Sequence, residues 1–148
     1  MLHIEMENPN KPERYEQLYL DIAQRLSEMS HCERNKVGCI LVRQGRILSM
    51  GWNGMPSGFD NTCEEHNRTK PEVIHAEENA IAKIACSTDS SAGATLYTTL
   101  APCVECAKLV IQSKVVKVVY NNRYRYDAGI DLLNHAGVEV VSYEPQGR

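Results

Sequence analysis

The chain has 148 residues, of which 43% are apolar and 24% charged, a composition typical of a soluble protein with a single domain over residues 1–148. No apolar run reaches the roughly 20 residues that a membrane-spanning helix needs, so we expect no membrane partner. The net charge of -3 disfavours binding to duplex DNA or structured RNA, because proteins that do so present a basic surface to the phosphates. A small anion with one or a few phosphates is compatible with this charge.

The amino terminus bears on the cellular compartment. The first 17 residues are polar and acidic, which is not typical of a secretory signal, and this predicts a cytoplasmic protein. Thiols stay reduced in the cytoplasm, so the six cysteines are better explained by metal binding or chemistry than by disulfides.

The first half of the chain predicts a helix, a hairpin and a long loop. Apolar residues at helical spacing indicate a helix over residues 12–30. Two β-rich segments at 37–42 and 46–53 flank a short Gln-Gly break, which is typical of an antiparallel hairpin. The polar segment 54–71 contains Gly and Pro, and its length in so small a domain favours a functional loop.

The second half alternates helices with strands. Helices are predicted at 74–86, 103–113 and 127–136, and strands at 94–100, 115–120 and 138–144. Strands separated by helices usually lie parallel in one sheet, with helices on both of its faces. We therefore expect an α/β fold in which the first two strands are antiparallel and the later ones parallel.

Two cysteines three residues apart, Cys103 and Cys106, follow Pro102 at the start of a predicted helix. Thiolates at this spacing lie on one face of the helix, and the positive helix end helps to keep them ionised. Thioredoxin-like redox motifs use the same spacing, so this pair alone indicates either a metal site or a redox couple.

His75 and Glu77 open the preceding predicted helix in the tripeptide His-Ala-Glu. Residues two apart point to nearly opposite faces in mid-helix, so both side chains can face one site only in the first turn. Taken alone, His75 is better explained as a capping or partly buried histidine. Glu78, one position further on, is expected to face solvent or to form a salt bridge.

Together the two motifs indicate a zinc enzyme. The pattern H-x-E followed by P-C-x-x-C is typical of zinc deaminases that act on nucleobases, in which the glutamate is not a ligand. The predicted ligands are His75, Cys103 and Cys106, and three ligands leave the fourth tetrahedral position of Zn²⁺ to water, as in catalytic sites. Glu77 is the predicted catalytic residue, which takes a proton from the activated water and returns protons to the ring nitrogen and the departing ammonia.

Over residues 18–144 the chain resembles the deoxycytidylate (dCMP) deaminases of the cytidine deaminase superfamily. The resemblance is carried by VGCILV at 37–42, GWNGMPSG at 51–58, VIHAEENAI at 73–81, LYTTLAPCVECAKLVIQS at 96–113 and AGVEV at 136–140. It implies a three-layer α/β/α cytidine deaminase-like fold with a five-stranded mixed sheet. It also implies hydrolysis of dCMP to dUMP and ammonia, which supplies dUMP for thymidylate synthesis.

The same resemblance implies regulation and assembly. It implies a homo-hexamer that dCTP activates and dTTP inhibits, with Mg²⁺ accompanying the triphosphate. The effector-binding residues are then Asn35, Lys36, Gly51, Trp52 and Gly54. The expected partners are small nucleotides, and no nucleic acid is expected.

Three residues are expected to contact the substrate. Asn53 ends a predicted strand, and in the superfamily this position contacts the sugar; the alternative is a turn-forming role. Arg34 precedes the first strand and Tyr124 follows the fourth, in strand-end loops of the kind where α/β sheets bind ligands. The neighbouring Arg123 and Arg125 offer further cations to the substrate phosphate or to an effector triphosphate.

Cys32, Cys63 and His66 lie near positions at which some family members carry a second, structural zinc. Structural zinc normally has four protein ligands, and a fourth is not evident here. Ordinary thiols and a surface histidine are therefore the preferred interpretation. Cys39 and Cys86 are interpreted as small apolar core residues.

Three other functions remain open. A tRNA adenosine deaminase carries the same two motifs, and the Arg-Tyr-Arg-Tyr stretch at 123–126 mixes cations with rings that stack on bases, but an acidic chain disfavours RNA. A deaminase that also acts on dCTP differs by only a few residues. A non-enzymatic, zinc-stapled binding module needs a closed site with four protein ligands, which leaves Glu77 without a role.

Overall fold

The computed structural model describes residues 11–143, in which four helices accompany a five-stranded mixed sheet and a small hairpin. The helices are α1 (Lys11–Ser27), α2 (Ala76–Ala85), α3 (Val104–Gln112) and α4 (Ala128–His135). The strands are β1 (Gly38–Arg43), β2 (Arg46–Trp52), β3 (Glu64–Glu65), β4 (Arg68–Thr69), β5 (Thr95–Leu100), β6 (Lys117–Asn122) and β7 (Glu139–Ser142). Both ends of the predicted domain lie outside the described residues, as does residue 144, where the family resemblance ends.

The large sheet has the strand order β2-β1-β5-β6-β7. β1 pairs antiparallel with both β2 and β5, whereas β5, β6 and β7 are parallel to one another. The connection from β1 to β2 turns at Gln44 and Gly45, which both have positive φ, as the Gln-Gly break predicts. The predicted mixed sheet with an antiparallel first pair is confirmed.

Helices cover both faces of this sheet because its central strands are apolar on both sides. Cys39 and Leu41 of β1 pack with residues of α2, α3 and α4 on one face. Ile40 and Val42, which alternate with them, pack with α1 on the other face. A strand buried on both faces needs a continuous apolar run, and this explains the segment 37–42. The predicted three-layer α/β/α arrangement is therefore confirmed.

The segment predicted as a loop at 54–71 contains the hairpin of β3 and β4. The two strands pair antiparallel, and the turn between them holds two residues at positive φ. Two-residue strands made of charged and polar residues carry no apolar alternation, so no sequence pattern indicated them. The Glu64 carboxylate accepts hydrogen bonds from the backbone N–H groups of Glu33 and Arg34, which ties the hairpin to the segment before β1.

The helices are short relative to a membrane. Within residues 11–143, none of them combines the length and the apolar character that crossing a bilayer requires. The longest, α1, has 17 residues and ends at Ser27, before the predicted end at residue 30.

Two glycines allow helices to approach neighbouring backbone closely. Gly51 of β2 lies against the first turns of α2, where a Cβ atom would overlap the carbonyl oxygen of Ala76. Gly129 of α4 lies against the residues before α3, where a Cβ atom would overlap the carbonyl oxygen of Pro102. Both contacts occur at the edge of the sheet where β2, β5 and β6 end and where α2 and α3 begin, the edge at which α/β sheets gather ligands.

Candidate active site

The residues of both motifs stand at the first turns of α2 and α3. His75 and Cys103 are the N-cap residues of the two helices, each with extended backbone at ψ 157° and ψ 173°. Cys106 lies one turn into α3 and is buried. Both helices begin at the same edge of the sheet. The side chain of His75 therefore meets those of Cys103 and Cys106, which lie 28 and 31 residues further along the chain.

The three predicted ligand atoms form a tight group. His75 Nδ1 lies 3.2 Å from Cys106 Sγ and 3.5 Å from Cys103 Sγ. Ligands of a tetrahedral zinc ion, each at about 2.0–2.3 Å from the metal, lie about 3.5 Å from one another. One imidazole and two thiols at this spacing fit Zn²⁺, and within residues 11–143 the group contains no fourth ligand that would close the site.

Hydrogen bonds within this group shift the pKa values of all three side chains. A hydrogen bond from the Cys106 thiol lowers the pKa of Cys103 to about 4 and raises the pKa of Cys106. The hydrogen bond to Cys103 raises the pKa of His75 to about 9. A divalent cation that binds this group displaces the protons held by the ring and by the Cys106 thiol, so binding is expected to release protons.

Glu77 lies beside this group, with only 4% of its surface exposed. Burial raises the pKa of its carboxyl group to about 7. A carboxyl group with a pKa near neutrality can both accept and return a proton. The first turn of α2 therefore brings Glu77, which can carry a proton, to the same cavity as His75.

Glu78 is half-buried and folds back to the backbone, whereas the sequence predicted a solvated side chain or a salt bridge. Its Oε1 accepts a hydrogen bond of 2.8 Å from the backbone N–H of His75. The prediction failed because it considered only the helix face, whereas a side chain at the third helical position can fold back to the N-cap.

A cavity of about 450 Å³ opens over these groups, a volume in the range of small-molecule sites. His75, Glu77 and Cys103 line it together with residues that precede β1, follow β2, belong to the β3–β4 hairpin and follow β6. The polar residues among these are Arg34, Asn35, Asn53, Glu64, Arg68, Thr69, Tyr124 and Arg125. The three predicted substrate-binding residues are thus brought to one cavity with the metal motif.

The Asn53 side chain lines the cavity and also forms two hydrogen bonds to the backbone. Its Oδ1 accepts from the N–H of Val37 at 2.9 Å, and its Nδ2 donates to the carbonyl oxygen of Asn35 at 2.7 Å. Only 8% of Asn53 is exposed. An amide has two donors and two acceptor positions, so one of each is left for a sugar hydroxyl.

Three arginines line the cavity without an acidic partner among residues 11–143. Arg34 donates to Thr69 Oγ1 at 3.5 Å, and Arg125 lies 5.1 Å above the Tyr126 ring. Arg68 comes from β4, and no motif indicated it because it lies in the unpredicted hairpin. Arg123 differs from these three, because Asp127 accepts its hydrogen bond at 3.0 Å, and it lines an adjoining cavity of about 360 Å³.

The five predicted effector residues lie at the same end of the β1–β2 pair, because Gly38 pairs with Trp52 and Asn53 donates to the Asn35 carbonyl, but their contacts differ. Asn35 lines the catalytic cavity, whereas the Lys36 ammonium donates to the Ser30 carbonyl at 2.6 Å. Gly54 pairs its backbone with Ile74.

Two of the five sit against α2. The Trp52 ring lies 5.0 Å below the Lys83 ammonium. Gly51 is buried under α2, where it makes room for the backbone of Ala76, and its role as an effector contact stays a prediction.

The structure joins Cys32 and Cys63 in a disulfide, so the interpretation of both as ordinary reduced thiols is wrong. The prediction assumed reduced cysteines throughout, and the hairpin that brings residue 63 to residue 32 carries no sequence pattern. His66 lies at the hairpin turn with φ 54°, exposed and apart from this pair. The Glu64 carboxylate is the group within 4.8 Å of both sulfurs.

This disulfide affects the metal content. A chain with the intact disulfide is expected to bind one zinc ion, because neither Cys32 nor Cys63 then offers a thiolate. Metal analysis with parallel thiol titration checks this. A second zinc ion that disappears in Cys63→Ala would mean that the reduced pair and Glu64 hold a metal instead.

Comparison with known proteins reveals close relatives. Residues 13–122 match the family described as the cytidine and deoxycytidylate deaminase zinc-binding region. The chain is 33% identical to the deoxycytidylate deaminase of Enterobacteria phage T4, over 83% of this chain and 86% of that protein. It is 34% identical to the deoxycytidylate deaminase of Homo sapiens, over 86% of this chain and 79% of that protein.

Solved structures agree with the observed fold. The dCMP deaminase from the cyanophage S-TIM5, crystallised in complex with dCMP and dUMP, matches with a TM-score of 0.85 and 45% identity, over 93% of this chain and 99% of that one. A tRNA:A34 deaminase, 21% identical with a TM-score of 0.59, shares the fold alone. Since the matching region spans most of this chain and of the phage T4 and human relatives, the chain belongs to the deoxycytidylate deaminase family of zinc-binding deaminases and is an enzyme.

Proposed function

We propose that the chain hydrolyses dCMP to dUMP and ammonia, using a zinc ion held by His75, Cys103 and Cys106. The observation that carries this proposal is the grouping of these three ligand atoms beside the buried carboxyl of Glu77. It is supported by the names of the relatives and by the dCMP and dUMP bound to the S-TIM5 enzyme. The dUMP formed would enter thymidylate synthesis.

Glu77 performs the proton transfers in this proposal. His75, Cys103 and Cys106 would hold the zinc ion, which would act as a Lewis acid and lower the pKa of a water molecule towards neutrality. Glu77 accepts the water proton, and the water oxygen bonds to the ring carbon that carries the amino group. Glu77 then passes this proton to the adjacent ring nitrogen, takes the second proton from the added hydroxyl group and gives it to the amine, so that the carbon–nitrogen bond breaks and ammonia leaves. Its raised pKa suits both roles, because the group is protonated and deprotonated with similar ease near pH 7.

The unpaired arginines favour a substrate with a phosphate. Guanidinium groups form paired, charge-assisted hydrogen bonds with phosphate oxygens. Arg34, Arg68 and Arg125 line the catalytic cavity with no carboxylate partner in the described part of the chain, so their charge is available to a ligand. A nucleoside 5′-monophosphate is the simplest ligand that places a base at Glu77 and an anion at these arginines.

Arg34→Gln and Arg68→Gln are each expected to raise the KM for dCMP about 10- to 100-fold, because a hydrogen bond to a charged group contributes about 1.5–3 kcal/mol. The kcat/KM for deoxycytidine, which lacks the phosphate, should not change. Arg46→Gln is the matched control, because Arg46 pairs with Asp89 at the opposite end of β2. Steady-state ammonia release measures all of these, and equal losses on both substrates would show that the arginines act on the fold rather than on the phosphate.

A substrate panel tests the proposal against its rivals. Ammonia release is measured side by side from dCMP, dCTP, deoxycytidine and an RNA hairpin, and dCMP is expected to give the highest kcat/KM. Preference for dCTP would identify a triphosphate deaminase, and turnover of the hairpin alone would identify an RNA-editing enzyme. No release from any of the four would contradict a nucleobase deaminase.

Regulation and assembly belong to the same proposal. We expect activation by dCTP, inhibition by dTTP with Mg²⁺, a homo-hexamer and a cytoplasmic location, which the family resemblance supports. The exposed apolar side chains of Tyr15 and Leu18 on α1 offer surface for subunit contacts. A dCMP saturation curve unaltered by dCTP would contradict the regulatory part, and a monomer in sedimentation would contradict the assembly.

A further inference from the structure

Glu78 is a carboxylate next to the reaction centre that the proposed reaction does not use. It occupies the third position of α2, is half-buried, and accepts the backbone N–H of His75 at 2.8 Å. Among residues 11–143 the Glu78 carboxylate forms no ion pair, and it accepts this backbone hydrogen bond instead.

His75 has an unusual task for an N-cap residue. The side chain at an N-cap normally accepts a hydrogen bond from the first turn of the helix, as Ser, Thr, Asp and Asn do. The His75 ring faces the backbone of Glu78 in a capping-box arrangement but makes no side-chain cap hydrogen bond, and its Nδ1 lies within 3.5 Å of the sulfurs of Cys103 and Cys106. With the ring directed at the sulfurs, the peptide at the entrance to α2 needs another partner.

Glu78 supplies that partner. In a capping box, the side chain at the third helical position accepts the N-cap N–H, and a carboxylate there also interacts favourably with the positive helix end. On one side of His75, the backbone of Ile74 pairs with Gly54. On the other side, the His75 carbonyl accepts the N–H of Asn79 at 3.0 Å. The hydrogen bond from the His75 N–H to Glu78 fixes the backbone of His75 between these two contacts.

The second ligand at a helix start is held differently. Cys103 follows Pro102, whose ring restricts the backbone, and Gly129 of α4 packs directly against these residues. The acidic residue in the first turn of α3, Glu105, is exposed and pairs with Lys108 at 2.8 Å instead of bonding to the backbone. Packing thus fixes the cysteine, whereas a carboxylate fixes the histidine.

We propose that Glu78 is a positioning residue that holds His75 in its metal-binding orientation and thereby slows the loss of zinc. This inference rests on the proposed zinc site. Groups that orient a metal ligand typically change metal affinity about 10- to 100-fold when they are removed. Glu78 therefore acts on retention of the metal rather than on proton transfer or substrate binding.

The test compares Glu78→Ala with Glu78→Gln in the zinc-loaded enzyme. Zinc transfer to a coloured chelator is expected to be about 10-fold faster in Glu78→Ala, whereas Glu78→Gln keeps an acceptor oxygen and should release zinc at nearly the wild-type rate. The KM for dCMP should be unchanged in both variants. Glu105→Ala is the matched control, since it removes a first-turn carboxylate of α3 that does not touch the backbone of a ligand, and its zinc release should not change.

Specific results would overturn the inference. Wild-type release rates in Glu78→Ala would show that the hydrogen bond does not hold the ligand. Equal acceleration in Glu78→Gln would assign the effect to charge, and equal acceleration in Glu105→Ala would assign it to general weakening of helix ends. A wild-type enzyme that binds no zinc would instead refute the proposed function itself, so the two failures are distinguishable.

Discussion

Glu77→Ala is expected to lower the turnover of dCMP by about 10³-fold while the zinc content stays at the wild-type level. The expectation follows from position, because Glu77 is the buried carboxyl beside the ligand group but is not one of the three grouped ligands. Removing it takes away the proton carrier and leaves the imidazole and both sulfurs in place. Single-turnover ammonia release together with metal analysis of the same sample measures both quantities.

Two further variants separate proton transfer from local structure. Glu77→Gln keeps the size of the side chain but not its ability to carry a proton, so its turnover should fall as far as that of Glu77→Ala. Glu78→Ala, measured in buffer supplemented with zinc, should retain most of its turnover. Equal losses in Glu77→Ala and Glu78→Ala would overturn the assignment of the catalytic carboxyl.

Cys106→Ala is expected to lose both bound zinc and detectable turnover. Cys106 is the fully buried member of the ligand group, and its Sγ lies closest to His75 Nδ1, at 3.2 Å. Two remaining ligands give a weak site, because zinc enzymes hold the metal with three protein ligands. Metal analysis and ammonia release check the prediction.

The controls for this prediction use the metal itself and a second cysteine. Chelation of the wild-type enzyme should abolish turnover, and addition of Zn²⁺ should restore it. Cys86→Ala should behave as wild type, since Cys86, which the sequence wrongly predicted in the core, is an exposed free cysteine at the end of α2. Wild-type zinc content and turnover in Cys106→Ala would contradict the ligand assignment.

The sequence could predict the metal group because its members lie in local patterns. His75 and Cys103 each begin a helix, and each helix signal is visible in the chain itself. The alternation of strands and helices then places both helix starts at one sheet edge. Local spacing and topology together were sufficient, and no long-range contact had to be guessed.

The remainder of the site depends on contacts that have no local signal. Arg68 reaches the cavity from a hairpin of charged and polar residues, and the Cys32–Cys63 disulfide joins two loops. The cap at Glu78 and the double hydrogen bond of Asn53 depend on where the backbone turns, not on which residues are apolar. Periodicity identifies buried faces, but it carries no information about how loops fold over an edge.

The close approach of Gly51 and Gly129 has a consequence for engineering this enzyme. Both positions lie outside the substrate cavity, and replacing glycine with alanine inside regular secondary structure is a common way to raise thermal tolerance. Here a methyl group added to Gly51 would push Ala76 and its helix α2 away from β2, and one added to Gly129 would push α4 away from Pro102. Ala76 and Pro102 each adjoin a proposed zinc ligand in the chain. A variant library rich in such replacements would therefore contain many inactive enzymes, because the replacements displace the metal-binding residues although neither glycine lines the substrate cavity.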